Sequence, residues 1–391
     1  MANTLTALVP KILSRGLLAL RENAVMPRLV NRSIGDGARE KGDTIDIPLS
    51  AAATTRTVTP AVTQAANVDF TPTKVQLPLD QWKESPFQLS DKELAEIDAD
   101  DSFIPMQTSE AIKALANGID SFILGKFTGI WNYSGTAATT PFATNLDAFR
   151  DARKNMNKDL SPLADRRVVL DADAEANAVV LEQFLAADRR GDQGGIIQGE
   201  IGQKLGYQWF LDQNIPTHTV GTWTVTGAGR TEVKATATIN TSTMIWQGNS
   251  STVTNGGNVV VGDIFTVTGD SQAYVVKTAA SVAVAAQATL AIIFSPPLRA
   301  TIAAAATVSL KGSHVVNLAF HRDAFAFASR PLAESQIAGG LGSIFSTMVD
   351  PVSGIALRLE VNRQYKQTTW AFDSLYGAVL VRPELAARIA G

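Results

Sequence analysis

Three histidines are the side chains of this sequence best suited to acid–base chemistry or metal binding. They are His218, His314 and His321, and none lies in a His-Glu-x-x-His pattern or at another spacing typical of metal ligands. His218 and His321 stand on either side of a long β-rich stretch, so the fold could bring them close together. We expect structural, hydrogen-bonding roles for them and predict no metal site.

The residue types that nucleophilic or phosphate chemistry needs are absent or wrongly spaced. The chain contains no cysteine, which excludes disulfides, thiolate nucleophiles and cysteine-bound zinc. It has no Gly-x-Ser-x-Gly elbow, and the glycine-rich segment GDQGGIIQGEIG (191–202) lacks the Gly-Lys-Ser/Thr of a phosphate loop. A Ser-His-Asp triad stays open, because its members meet only in space. We predict no catalytic residue and no cofactor.

Two acidic groups precede segments with helical periodicity. Their members are Asp98, Asp100 and Asp101, and then Asp171, Asp173 and Glu175. They could bind a cation. Carboxylates also favour the positive end of a helix by about 0.3–1 kcal/mol. We interpret both groups as helix starts.

The composition favours a protein that buries surface against other copies of itself. The 391 residues are enough for two or three domains. Hydrophobic residues make up 45% of the chain and charged residues only 18%, which is little charge for a monomer. The formal net charge of -3 gives no general attraction to nucleic acid.

Neither a nucleic-acid surface nor a membrane segment is evident. The mildly basic run is Arg28, Arg32, Arg39 and Lys41, diluted by Asp36 and Glu40. It could contact nucleic acid or acidic partner segments, and we favour a solvated connector. The longest apolar run, 279–294, is too short to span a bilayer. The N-terminus lacks the features of a signal peptide, so we expect a cytoplasmic protein.

The N-terminal part of the chain suggests an arm. Thr4–Asn23 has apolar residues at roughly helical spacing, and we expect this helix to dock on a neighbour. Strict alternation predicts strands over Thr44–Leu49 and Lys74–Asp80, each with one buried face. The long connection between them favours an extended two-stranded arm. Two isolated strands are marginal in water, so we expect a neighbouring subunit to support this arm.

Helices dominate the next part. Ser90–Glu93 has a capping-box pattern, and one apolar stripe predicts a long helix over Ser102–Thr128. Further helices are expected over Leu146–Met156, with Asn145 as N-cap, and over Ala172–Ala187. A buried strand, Arg167–Leu170, lies between these two helices.

The remainder is mostly β. From Val220 to Lys311, short alternating stretches rich in Thr, Val and Ala are bounded by glycine, which predicts a small all-β module. The closing strands are expected over Val315–Phe320, Ile355–Tyr365, Gln367–Phe372 and Leu375–Val381.

Five segments in a fixed order resemble the major capsid proteins of tailed bacteriophages. They are Gly206–Gly221 (GYQWFLDQNIPTHTVG), Gly262–Gly269 (GDIFTVTG), Asn317–Leu332 (NLAFHRDAFAFASRPL), Asp350–Arg358 (DPVSGIALR) and Tyr376–Ile389 (YGAVLVRPELAARI). The last, with its Tyr-Gly and Arg-Pro-Glu-Leu, is the most specific. These segments are similar in sequence to the short-tailed phage coat group, whose members carry an inserted β domain.

This resemblance implies an α+β, Hong Kong 97-type capsid fold that covers nearly the whole chain. The implied parts are an N-terminal arm (1–41), an E-loop hairpin (42–82), a P-domain with spine helix (83–145), an A-domain in two pieces (146–219 and 313–348), an inserted, barrel-like β domain (220–312) and closing strands (349–391). It implies an icosahedral shell of pentamers and hexamers around packaged double-stranded DNA, with scaffolding and portal proteins as partners and no membrane.

The arm would contact neighbouring subunits through exposed charges. We predict that Arg56, Lys74 and Lys83 face acidic residues next door, among them Glu93, Glu96 and Asp98. Exposed ion pairs of this kind are individually worth about 0–1 kcal/mol, so a shell needs many of them. No residue matches a covalent cross-linking site, and we predict no cross-link.

Two other function classes stay open. One is another self-assembling phage part, such as a tail-tube or head-decoration protein, although tube proteins are mostly β and would not need the long helix. The other is a hydrolase with a β accessory domain, which the scarcity of histidine and the lack of a nucleophile motif disfavour.

Overall fold

The computed structural model describes residues 24–33, 44–50, 55, 57–58, 60, 72–92, 103–185, 201–227, 229–332 and 343–391, with only the backbone at 103–106, 185 and 343. The helix predicted over Thr4–Asn23 lies outside these ranges. So do most of the connection between the two arm strands and most of the glycine-rich loop.

The described α-helices are α1 (Met26–Leu29), α2 (Phe103–Leu124), α3 (Asp147–Lys158), α4 (Ala172–Val180) and α5 (Glu182–Leu185). Helix α2 confirms the predicted long helix, and a 3₁₀ segment, Gly125–Gly129, continues it. Its apolar stripe is buried at Ala111, Ile112, Leu115, Ile119 and Ile123. These positions recur every three or four residues and so share one face.

Short side chains set the starts of α3 and α4. Leu146, and not the predicted Asn145, is the N-cap residue of α3. Asn145 Oδ1 still accepts a hydrogen bond from the backbone N of Asp147 at 3.0 Å. The Asp171 carboxylate accepts one from the backbone N of Asp173 at 3.3 Å, which supports its predicted role at a helix start. The continuous helix predicted over Ala172–Ala187 is wrong, because Leu181 is extended (φ -60°, ψ 133°) and separates α4 from α5. The β-branched Val179 and Val180 before it are weak helix formers.

The strands, in chain order, are β1 (Thr44–Leu49), β2 (Thr73–Pro78), β3 (Gln81–Ser90), β4 (Tyr133–Gly135), β5 (Arg166–Leu170), β6 (Gln203–Lys204), β7 (Tyr207–Leu211), β8 (Thr217–His218), β9 (Thr224–Val225), β10 (Thr231–Val233), β11 (Thr243–Gly248), β12 (Thr254–Val259), β13 (Ile264–Val267), β14 (Ala273–Val276), β15 (Ala280–Ala286), β16 (Leu290–Ser295), β17 (Val308–Leu310), β18 (His314–His321), β19 (Phe325–Arg330), β20 (Ser343–Val349), β21 (Ala356–Gln364), β22 (Gln367–Leu380) and β23 (Ala386–Ala390). Strands outnumber helices, and the class is α+β.

The chain divides into two compact units, each built from two stretches of sequence. The first unit is 1–116 with 326–381, and the second is 117–325 with 382–391.

In the first unit, β22 is the central strand of an antiparallel sheet. It pairs with β21 over Gln367–Asp373 and with β3 over Gln367–Tyr376. The two separate strands predicted over Gln367–Phe372 and Leu375–Val381 are therefore one strand. The chain does not turn between them, because Ser374 Oγ donates to Ala356 O at 2.9 Å and Asp373 accepts from Arg358. Strand β3 was not predicted, since Lys83, Glu84 and Pro86 interrupt its apolar alternation.

The β1–β2 hairpin rests on its own chain. The strands pair antiparallel from Thr44↔Pro78 to Leu49↔Thr73, as their alternation predicts. Their buried side chains, Ile47 and Leu77, join the following Leu79 in a cluster with Ala326, Ala328, Leu375 and Val381. Burying each Leu contributes roughly 1.5–3 kcal/mol. These two strands therefore pack against their own chain. The expectation that a neighbouring subunit must support them is wrong for Thr44–Leu49 and Thr73–Pro78.

The second unit is organised around a mixed sheet in the order β4-β23-β18-β5-β7-β6. Helices α3 and α4 cover it through a core that includes Phe149, Met156, Ala174, Tyr207 and Trp209. Strand β23 was not predicted, because Arg388 interrupts its short apolar run AARIA.

Strands β9 to β17 form the all-β module that the sequence predicts for 220–312, and we call these residues the β module. They make two sheets, ordered β10-β11-β16-β14-β13-β17 and β15-β12-β9. All members of its buried core, including Trp246, Phe265, Tyr274 and Phe294, lie between Trp223 and Val308. The β module thus has a hydrophobic core of its own within the second unit.

Candidate assembly surface and buried junction

The hairpin carries one of the predicted contact residues, Lys74, and pairs it within the same chain. Lys74 Nζ lies 2.7 Å from Asp46 Oδ2 on the facing strand. Gln76 Nε2 donates to the other oxygen at 3.1 Å. The hydrogen bonds from Lys74 and Gln76 lower the pKa of Asp46. Both partners of this ion pair are exposed, so Lys74 remains accessible to a further carboxylate.

The other predicted contact residues are placed only in part. Lys83 is exposed on β3, opposite Ser374 in the β3–β22 register. Arg56, Glu93, Glu96 and Asp98 lie outside the described residues. Their pairing across subunits stays a prediction.

The first unit also exposes large apolar side chains. They are Val58, Trp82, Val349, Val352 and Tyr365. Tyr365 is 85% exposed at the turn between β21 and β22, where Lys366 adopts a left-handed φ of 58°. Single exposed apolar residues are common on monomers. An aromatic ring this exposed at the tip of a hairpin can be covered by a partner.

The described part of the basic run is engaged with its own chain. Arg28 Nε donates to Ala24 O at 2.7 Å. Arg32 Nη1 donates to Val352 O at 2.6 Å, in the loop of the DPVSGIALR segment. The fully buried Asp350 organises this loop by accepting hydrogen bonds from Ser353 Oγ and Ser353 N. These contacts give Arg28 and Arg32 structural roles.

A histidine–aspartate pair is buried where the β module leaves the sheet of the second unit. His218 Nε2 lies 2.8 Å from Asp263 Oδ1, and the two side chains are 6% and 0% exposed. The second carboxylate oxygen accepts hydrogen bonds from Val260 N at 2.9 Å and from Gly221 N at 3.2 Å. Asp263 is thus held by three donors, the His218 ring and two backbone amides of the module, as a buried carboxylate requires.

Arg388 lies fully buried beside this pair. Its Nη1 donates to Gly262 O at 2.8 Å, and its guanidinium stands 4.9 Å from the centre of the Phe127 ring. Among the residues that the structure describes, its Nε and Nη2 find no hydrogen-bond partner. Burial lowers the pKa of Arg388 to about 9, and the charge of Asp263 opposes that shift. Because this value is above neutral pH, the guanidinium stays charged and balances the carboxylate.

The second histidine at this junction is His314. Its ring centre is 5.4 Å from that of His218 and 5.3 Å from that of Tyr133. The hypothesis that His218 meets His321 is therefore wrong. His218 is paired with His314 at the start of β18, whereas His321 ends that strand, seven residues or roughly 23 Å further on.

His314 predicts a pH dependence of stability. Burial lowers its pKa to about 4, with the nearby charge of Arg388 adding to the shift and Gly312 O and Asp263 opposing it. The unfolded chain therefore binds more protons than the folded chain below the ordinary histidine pKa of about 6.5. We expect the contribution of neutral His314 to be present above that value and to be lost as the pH falls towards 4.

Urea denaturation of wild type and His314→Gln at several pH values between 4 and 7.5 measures this dependence. The difference in midpoint between the two proteins should shrink as the pH falls, because the variant has no imidazole to protonate. A difference that stays constant over this range would contradict the prediction.

The described contacts of the junction are structural hydrogen bonds. A general base must reach the hydroxyl that it activates. Within the described residues, neither His218 nor His314 is hydrogen-bonded to a hydroxyl. The described part of the chain contains no group of three or more potential ligands that could hold a metal ion. No helix in the described ranges is long and apolar enough to cross a membrane.

The decisive residues of the junction were missed by sequence reasoning. Asp263 lies in GDIFTVTG and Arg388 lies in YGAVLVRPELAARI. Both segments carry the resemblance to phage coat proteins, and neither contains a recognised chemical motif. A usable signal was present in the second, since an arginine within the apolar run AARIA indicates a buried, paired charge.

Comparisons with known proteins identify the fold. No family model matches the sequence. No curated protein matches it either. A chain in a structure of Mycobacterium phage Che8 aligns with a TM-score of 0.52 and 17% identity, over 94% of this chain and 90% of that chain.

A second solved structure agrees. A chain in the capsid structure of cyanophage P-SCSP1u aligns with a TM-score of 0.50 and 14% identity, over 93% of this chain and 87% of that chain. Identities this low establish the fold alone. The chain therefore has the fold of chains from these two phage structures, one of them a capsid, and its resemblance to tailed-phage coat proteins is confirmed at the level of the fold.

Proposed function

We propose that this chain is the major capsid protein of a tailed bacteriophage and self-assembles into the icosahedral head. The observation that carries the proposal is the fold shared with the P-SCSP1u capsid structure, which extends over 93% of the chain. The low charge content of 18% fits a protein whose surface is largely covered by other copies.

The proposed architecture is of the Hong Kong 97 type. Its parts are the N-terminal arm (1–41), the E-loop (42–82), the P-domain with α2 as spine helix (83–145), the A-domain (146–219 and 313–348), the inserted β domain (220–312) and the closing strands (349–391). The β1–β2 hairpin supports the E-loop assignment, and the separate core of the β module supports the insertion. The Lys–Asn type of covalent cross-link is not part of the proposal.

The proposed partners follow from the same function. They are further copies of this chain in pentamers and hexamers, a scaffolding protein, a portal protein and packaged double-stranded DNA. A net charge of -3 suits a shell that encloses DNA without binding its sequence. The chain would assemble in the host bacterial cytoplasm, expand during DNA packaging and end in the virion. It would have no enzymatic activity, and no cofactor or membrane would be involved.

Negative-stain electron microscopy of the purified chain tests the proposal, with expression alone and together with its scaffolding partner. We expect closed shells of uniform size with the partner. Tubes or rings would favour a tail or decoration protein. Small oligomers under both conditions, without shells or aberrant spirals, would overturn the proposal. The hydrolase hypothesis would then be tested with generic ester and glycoside substrates.

Charge reversal in the arm tests the proposed contacts of Arg56, Lys74 and Lys83 with Glu93, Glu96 and Asp98 next door. Lys74→Glu should lower the yield of shells, because it places a carboxylate against an acidic surface. It should leave the folding of the subunit intact, because Lys74 is exposed. Arg56→Glu should behave in the same way.

A double exchange separates this effect from the ion pair inside the hairpin. Lys74→Glu with Asp46→Lys restores opposite charges between the facing strands, but it leaves a reversed charge at position 74. Shell yield should therefore stay low. Full recovery of the shell yield in the double variant would show that Lys74 does not contact a neighbour. An unchanged shell yield in both single variants, Lys74→Glu and Arg56→Glu, would show the same.

A further inference from the structure

A polar recess of about 300 Å³ lies within the second unit. Helix α3, strand β4 and four segments of the β module line it. It is separate from the assembly surface of the arm, and the capsid proposal does not use it.

The lining of the recess carries an excess of positive charge. Its four cationic side chains are Lys154, Lys158, Arg299 and Lys311, and its carboxylates are Asp151 and Asp159. Lys154 Nζ lies 2.8 Å from Asp151 Oδ1, and Arg299 Nη2 lies 2.9 Å from Asp159 Oδ1. Within the described residues, Lys158 and Lys311 have no carboxylate within ion-pair distance. Lys311 Nζ stands 5.9 Å from the centre of the Tyr133 ring, so its contact there is with an aromatic face and not with an anion. Two positive charges of the recess are therefore not balanced by a carboxylate.

Gln272 adds a neutral side-chain amide that has no hydrogen-bond partner within the described residues. It lines the recess and is only 7% exposed. Its side-chain Nε2 and Oε1 are both buried and make no hydrogen bond, while its backbone N is held by Asp270 Oδ1 at 3.0 Å. Buried amides are nearly always hydrogen-bonded. A ligand in the recess would supply the hydrogen-bond partner that the Gln272 amide lacks.

We propose that the recess binds a small multivalent oxyanion of the phosphate class. Lysine ammonium groups bind phosphate as point charges, and Lys158 and Lys311 are available for this role. Gln272 Nε2 can donate a hydrogen bond to an oxyanion but not to a metal cation. The positive excess also disfavours a cation. The recess would hold a free anion, whereas contact with nucleic acid needs an open surface along the backbone.

The bound anion would join two parts of the fold. Lys158 belongs to α3, whereas Gln272 and Lys311 belong to the β module. An anion that contacts all three would hold the module against the helix. Stability at a fixed ionic strength would then increase with the concentration of the anion.

Isothermal titration calorimetry of the full chain with inorganic pyrophosphate, and separately with inorganic phosphate, tests the proposal. Sodium chloride at matched ionic strength is the reference, because screening alone would act equally in both. We expect one saturable site per chain. Lys158→Gln with Lys311→Gln should raise the Kd at least about tenfold, since two charge-assisted contacts are lost.

The matched control is Lys277→Gln. Lys277 is an exposed lysine of the β module that does not line the recess, so its loss should leave the Kd unchanged. Gln272→Leu keeps every charge, removes only the amide and should weaken binding as well. If either recess variant fails to fold, the single variants Lys158→Gln and Lys311→Gln carry the test, because each changes one side chain at the rim.

The outcomes are decisive in both directions. Equal heats with pyrophosphate and chloride, or a Kd that the recess variants do not change, would overturn the proposal. Competition by a 20-nucleotide single strand at equal phosphate concentration would show that the phosphates come from nucleic acid and not from a free anion. The assay does not depend on shells, so its failure would leave the capsid proposal standing.

Discussion

Asp263→Ala is expected to lower the free energy of unfolding of the second unit by about 3–5 kcal/mol, because it removes a buried, hydrogen-bonded carboxylate and leaves its partners in place. The substitution leaves the buried Arg388 without its compensating charge, and Arg388 already has two unpartnered nitrogens. It also removes the acceptor of three hydrogen bonds, from His218 Nε2, Val260 N and Gly221 N. Water cannot replace these contacts at a site that is completely buried.

Urea denaturation of the unassembled subunit, followed by tryptophan fluorescence, measures the effect. Two of the six tryptophans of the chain, Trp223 and Trp246, lie in the core of the β module, so part of the emission change reports on this part of the fold. The control is Asp173→Ala, an exposed aspartate in the first turn of α4, for which a loss of about 0.3–1 kcal/mol is expected. Equal midpoints for the two variants would show that the junction does not stabilise the module.

Gly377→Ala is expected to cost about 3 kcal/mol, the upper end of the range for overpacking. A Cβ at this position would overlap the carbonyl oxygen of Pro78 and would lie 3.3 Å from the Cα of Leu79. Both contacts are with backbone, so no side-chain rotation can relieve them. The hairpin would have to lift from β22, and Leu77 and Leu79 would lose their burial.

Limited proteolysis and urea denaturation together measure the consequence. Cleavage of Gly377→Ala within 44–80 should be faster than in wild type, and if the hairpin is the E-loop, shell yield should fall as well. The matched control is Gly118→Ala in α2, where a Cβ meets nothing within 4 Å. This change should stabilise the helix by about 0.5–1 kcal/mol. Unchanged proteolysis in Gly377→Ala would contradict the close contact.

Sequence reasoning located the elements whose patterns are local. The stripe from Ala111 to Ile123 predicted helix α2, and alternation predicted β1 and β2. It failed where pairing overrides local preference. Strand β3 forms opposite β22 although Pro86 and two charges interrupt its pattern. The continuity of β22 and the break at Leu181 were missed for the same reason, since each depends on what the segment packs against.

The sequence by itself determined the α+β class, the all-β character of 220–312, the helix start at Asp171, and the resemblance to phage coat proteins. These features depend on a period of two or 3.6 residues, or on hydrogen bonds between near neighbours. Only the tertiary structure decided that Asp263 and Arg388 share one junction, that His218 meets His314, and that Gly377 lies against Pro78. Arg388 reaches Gly262 across 126 residues of chain. No local pattern encodes such a contact, because it forms only when strands far apart in the sequence pack together.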